Sequence, residues 1–129
     1  MTDPGDPVYG GATTVTYEAA ESLSPGDVAA INSGQVAKAD DTTDTNALGV
    51  VASTASGVSA GDKVAVHVAG VVVANVAGGV SAGTELGVSA TEGQLAAGSD
   101  GFQPFSDEGA PAGLEVGSIP AGGAAVKIP

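Results

Sequence analysis

The chain has 129 residues, with three Lys, no Arg and 15 Asp or Glu, which gives a formal net charge of −12. It has no Cys, which excludes a disulfide framework, thiolate catalysis and Cys-based metal sites, and its negative surface repels nucleic acid phosphate and anionic lipid. The length suits one domain, and the abundance of Gly, Ala, Val, Ser and Thr suits a mainly β fold of hairpins, a small barrel or sandwich with little helix.

Residues 1–18 read as an extended N-terminal arm and 19–129 as a single β domain. The first seven residues, Met1-Thr2-Asp3-Pro4-Gly5-Asp6-Pro7, have neither a basic nor an apolar run, so no signal peptide is expected. Pro and Gly at this density favour an irregular or extended path. After Met1, Val8 and Tyr9 are the only bulky apolar residues before Thr13-Thr14-Val15-Thr16-Tyr17-Glu18, a candidate strand with Val15 and Tyr17 on one face.

Three segments then share one phrase. They are Leu23-Ser24-Pro25-Gly26-Asp27-Val28, Val58-Ser59-Ala60-Gly61-Asp62-Lys63 and Val80-Ser81-Ala82-Gly83-Thr84-Glu85. Each runs from an apolar residue through Ser and Gly into a strand. Gly permits the positive φ of a type II turn, Pro25 suits the position before it, and Ser and Asp bond nearby backbone groups. A second phrase follows each first one: Gly34 to Ala39, Gly70 to Ala74 and Gly93 to Ala97 each start with Gly and enter a short strand. The middle unit, Val58 to Gly79, therefore reads as one hairpin, with Val64, Val66 and Val68 alternating before a break at Ala69-Gly70.

Other strands are expected at Ala47 to Ala52, Leu114 to Gly117 and Ala124 to Ile128. Asp40-Asp41-Thr42-Thr43-Asp44 reads as a solvated loop. Its three carboxylates could hold Ca²⁺, but they lack the alternating ligand spacing of a calcium loop. The sole histidine, His67, reads as a strand residue on the more polar face. Catalytic triads and zinc sites need more such groups than this chain has. Carboxylates alone leave a two-acid glycosidase open by residue type, but there is no Trp and few aromatics to platform a sugar. The chain thus reads as a non-enzyme with no cofactor and no metal.

The aromatics all lie outside the three repeated units. Val8, Tyr9, Val15, Tyr17, Phe102 and Phe105 are the candidate interface residues, since exposed aromatics anchor contacts. The alternative is that the aromatics plug the open ends of a small barrel.

Leu48 to Ala52, Ser59 to Val72 and Val80 to Leu86, read together, resemble the capsid cement, or head decoration, proteins of tailed viruses. The resemblance spans residues 23 to 97. The acidic composition, short of Lys and Arg, resembles that of haloarchaeal proteins, which points to a haloarchaeal tailed virus. The resemblance implies a structural virion protein on the outer capsid surface, bound to the major capsid protein, homotrimeric, and bracing neighbouring capsid subunits. It further implies an N-terminal arm that lies on the capsid and pairs with a capsid strand. On that view, deleting residues 1–18 leaves the domain folded and weakens shell binding. The alternatives are a virion turret or fibre base, and a cell-surface adhesion module of a salt-adapted microbe.

Overall fold

The computed structural model describes residues 3–8, 12–55, 57–110 and 118–129, and among them there is no helix. The described residues form nine strands: β1 (Thr13–Ala19), β2 (Val28–Asn32), β3 (Gln35–Lys38), β4 (Ala47–Val51), β5 (Lys63–Asn75), β6 (Leu86–Val88), β7 (Leu95–Ala97), β8 (Gln103–Pro104) and β9 (Gly123–Ile128). The order β1-β3-β2-β4-β5 closes on itself because β1 also pairs with β5, so five strands make a barrel. β9 and β8 extend the sheet from β5, and β6 and β7 form a separate hairpin. The mainly β barrel expected from composition is the fold observed. The expected strand at 114–117 lies outside the described residues.

The organising element is β5, and it corrects the hairpin expected over Val58 to Gly79. Ala69-Gly70 does not reverse the chain; β5 runs through it for 13 residues. Gly70 takes φ +101, and a side chain there would meet the Ala12 backbone at 2.8 Å. The glycine thus bends the strand without ending it. The first half pairs with β1 and β4, and the second half, Gly70 to Asn75, pairs with β9. A local pattern of apolar run, Gly, apolar run cannot distinguish a turn from a bend, because both need the same backbone freedom.

Side-chain alternation along β5 feeds different cores. Val64 and Val66 join Ala19, Ala29, Val36 and Val51, one or more from each barrel strand, to fill the barrel interior. Past the bend, Val72 and Ala74 join Val28, Val50, Leu86, Leu95, Phe102 and Val126 in a second core outside the barrel wall. Val71 and Val73, on the opposite face, pack with Ile119 and Ala125, and Val8 lies against them.

The three Ser-x-Gly turns form as read. Asp27 N–H donates to Ser24 O (3.1 Å), Asp62 N–H to Ser59 O (3.0 Å) and Thr84 N–H to Ser81 O (3.2 Å). Gly26, Gly61 and Gly83 have φ of 86, 90 and 85. In the first two, the Asp carboxylate also accepts the Ser backbone N–H, at 2.8 and 2.9 Å. Thr84 has no carboxylate, and Asp107 accepts the next N–H in that turn, from Ala82.

The boundary expected at residue 18 moves. Residues 13–18 belong to β1, a barrel strand whose register runs from Thr13↔Ala69 to Glu18↔Lys63. Residues 5–8 lie along the second half of β5. Removing residues 1–18 would therefore take away a barrel strand and open the barrel, rather than leave the domain folded.

Candidate functional site

The five candidate interface residues that are described do not converge. Phe102 is 1% exposed and sits in the second core, where Leu86 N–H donates to its carbonyl. It is a core residue, not a contact. Its ring is the largest fully buried side chain among the described residues, and small Val and Ala neighbours leave room for it. Val8 is half-buried against Val71, Val73, Ile119 and Ala125. Tyr9 lies outside the described residues. Phe105 is 48% exposed, and its N–H donates to Ala125 O.

Val15 and Tyr17 share a face, opposite Val66 and Val64 on β5. Tyr17 packs half-buried on the barrel interior, whereas Val15 is 41% exposed. The difference lies in the ladders. β1 meets β3 only through Glu18↔Gln35 and Ala19↔Val36. Thr13 to Tyr17 pair with β5 on one side. On their other edge, no strand among the described residues pairs with them. Thr13, Thr14, Val15 and Thr16 are all exposed. This is a short β-branched edge whose outward backbone groups suit strand addition.

A second feature is a buried polar junction that the sequence reading largely missed. Asp3-Pro4-Gly5-Asp6 is a fourth copy of the turn. Asp6 N–H donates to Asp3 O (3.0 Å), Asp6 carboxylate accepts Asp3 N–H (2.9 Å), and Gly5 has φ 81. The shared Pro-Gly-Asp of residues 4–6 and 25–27 was the available signal. The two turns dock side by side on β5. Gly5 N–H donates to Val73 O, and Asn75 N–H donates to Gly26 O. A side chain at Gly26 would lie 2.7 Å from Pro4.

His67 belongs to this junction. It is 6% exposed, and its Nε2 lies 3.0 Å from Gly5 O. A carbonyl only accepts, so Nε2 carries the proton and donates. Nδ1 has no hydrogen-bond partner among the described residues. The expected polar-face position is thus on the outer barrel wall, covered by residue 5. Asp27, also buried, accepts from Ser24 N–H and from Asn75 Nδ2 at 3.1 Å. Burial pushes its carboxyl above the ordinary 3.8, and the Ser24 N–H, Lys38 and Asn75 oppose that rise.

The acidic loop has a structural occupation. One Asp40 oxygen accepts N–H bonds from Thr42 (2.9 Å), Thr43 (2.6 Å) and Asp44 (3.2 Å). The Thr43 and Thr42 donors hold its carboxyl below the ordinary range. Among the described residues no group of three His or acidic side chains is placed to hold a metal.

One shallow cavity of about 210 Å³ opens beside β6 and β7, lined by Val80, Ser81, Thr84, Leu86 and Ala97 among others. It holds the third Ser-x-Gly turn but none of the candidate interface residues. No family model, no curated protein and no solved structure matches the chain.

Proposed function

We propose that this protein is a structural virion module, a decoration protein that binds the outside of an icosahedral capsid and stabilises contacts between major capsid subunits. The observation that supports the reading is the edge of β1 from Thr13 to Thr16, exposed and, among the described residues, paired with a strand on one side only. Such an edge can add a strand from a partner, main chain to main chain, with Val15 as the apolar anchor. The resemblance of residues 23 to 97 to cement proteins supplies the partner class. Many copies on one lattice would let weak edge contacts sum. A charge of −12 suits a shell-bound protein in strong salt, where screening acts over a few ångströms.

The test is co-sedimentation of the full chain with undecorated, expanded shells in molar salt. Saturation near one copy per capsid subunit is the expected result. Val15→Lys, which places a charge on the open edge without touching either core, is expected to weaken binding at least tenfold while the thermal midpoint stays close to the parent's. Saturation at a few copies per vertex would replace this reading with a turret or fibre base. No binding by the folded protein would remove it.

A further inference from the structure

We propose that residues 3–8 form an exchangeable strap, and that the seat they occupy on β5 also accepts the same strap from a second copy of this chain. The inference is independent of which surface the protein decorates.

The seat is well defined. Beyond the bend, the edge of β5 that carries β1 as far as Ala69 is taken over by the strap. Val8 N–H donates to Val71 O (2.8 Å), Val73 N–H to Asp6 O (3.0 Å) and Gly5 N–H to Val73 O (2.8 Å). Gly5 O in turn accepts from Ser53 N–H (3.2 Å) and from His67 Nε2 (3.0 Å). At Gly5 a Cβ would lie 2.5 Å from Val51 O and 2.6 Å from Ser53 N, at φ +81. The seat therefore selects a glycine in a turn, with a strand of three residues after it.

Every one of these bonds joins the strap to β5, to the end of β4 or to the residues just after it. None joins it to β1, into which the same chain continues. The seat thus recognises the turn and its short strand, not the molecule that supplies them. Exchange between two copies keeps all five bonds and the Gly5 fit. What changes is the entropy of joining two chains, which high local concentration offsets. The residues that bond the strap, Ser53, His67, Val71 and Val73, bear no acidic side chain, but the strap brings Asp3 and Asp6 and packs beside the turn that holds Asp27, so like charge opposes its approach. Molar salt screens that repulsion.

Pro7 and Val72 give a direct probe. They are bridged antiparallel, and the bonds run between their neighbours, which makes them a non-hydrogen-bonded pair with close side chains. The chain has no Cys to interfere. Pro7→Cys on one full-length copy and Val72→Cys on another are mixed in molar salt, incubated and oxidised. The expected product is a covalent heterodimer, well above that from Pro7→Cys mixed with Ser59→Cys, whose thiol sits on an exposed turn. Adding Gly5→Ala to the Pro7→Cys copy is expected to return the yield to that control level.

The double variant Pro7→Cys/Val72→Cys in one chain, oxidised at high dilution, is expected to close internally. A mixed sample no richer in heterodimer than the control, while the double variant closes, would overturn exchange: the strap would be fixed in its own seat. Failure of the double variant to close would remove the register on which the seat rests, and the proposal with it. Neither result bears on shell binding, which is measured separately.

Discussion

The two halves of β5 organise two regions that solve the same problem differently. Before Gly70 the strand is a wall of a closed barrel, filled by Val, Ala and Leu from five strands. After Gly70 it supports an open sheet with β9, flanked by the short β6–β7 hairpin and closed by Phe102. The barrel satisfies its backbone mainly through ladders. The later region has strands of two or three residues at β6, β7 and β8, so carboxylates complete the accounting. Asp100 accepts Val88 N–H, Glu85 accepts Gly101 N–H, Asp107 accepts Ala82 N–H and Glu108 accepts Gly122 N–H. In the barrel region the carboxylates that accept backbone N–H groups lie mostly within their own turns, at Asp27, Asp40 and Asp62, whereas in the short-stranded lobe they reach across 12 to 25 residues. Part of the acidic composition is therefore structural. Acid side chains with backbone donors in both regions serve as turn acceptors as well as surface charge.

The largest expected effect separates the two cores. Phe102→Ala should cost about 4 kcal/mol, from lost burial and the cavity it leaves. Amide exchange should quicken in β6, β7 and β9 while β2 and β3 remain protected. Equal loss of protection in β2 and β3 would show the two regions to be one cooperative unit and break the comparison.

Glycines sharpen it next. At Gly49 a Cβ would fall 1.8 Å from His67 O, a backbone atom in the barrel wall. At Gly87 it would meet the Asp100 carboxylate at 2.3 Å, a side chain that can turn aside. Gly49→Ala should therefore cost about 3 kcal/mol. Gly87→Ala should cost about 1 kcal/mol, the worth of the displaced Asp100 bond to Val88. Urea midpoints in molar salt measure both, and equal losses would mean that the barrel wall yields as easily as the open lobe.

The smallest effects are in pH. The folded Asp40 carboxyl titrates below 3.8, so its contribution is complete above that value and is lost as pH falls through the folded pKa. Asp27 is opposite in sign. Its folded pKa lies above 3.8, so the native state holds the proton longer than the unfolded chain does. Stability then declines as pH rises from 3.8 through the raised value. Stability measured against pH should lose its acid-side slope in Asp40→Asn and its opposing slope in Asp27→Asn. A variant curve parallel to the parent's would refute the assignment for that residue.

Much of the local structure was legible. The Ser-x-Gly-Asp turns were readable because a positive φ and a backbone-capping carboxylate are properties of four adjacent residues. The β2–β3 hairpin followed from the same kind of signal. Ser33 and Gly34 both take positive φ between Asn32 and Gln35, the arrangement of a two-residue type I′ turn. Phe102 was misplaced because an aromatic in a Gly- and Pro-rich stretch looks the same whether it anchors a partner or closes a core. The fourth turn, at Asp3 to Asp6, was hidden by lying in a segment that composition marks as an arm.

The sequence by itself determined the all-β character, the three Ser-x-Gly turns, the charge and the absence of thiol chemistry, all of which depend on residue type and near neighbours. Only the tertiary structure decided that Gly70 bends β5 instead of reversing it, that β1 closes a barrel, and that Gly5 seats beside Val51, Ser53 and His67. Those outcomes depend on residues tens of positions apart competing for the same strand edge, and the winner is set by packing and hydrogen-bond closure rather than by any local preference.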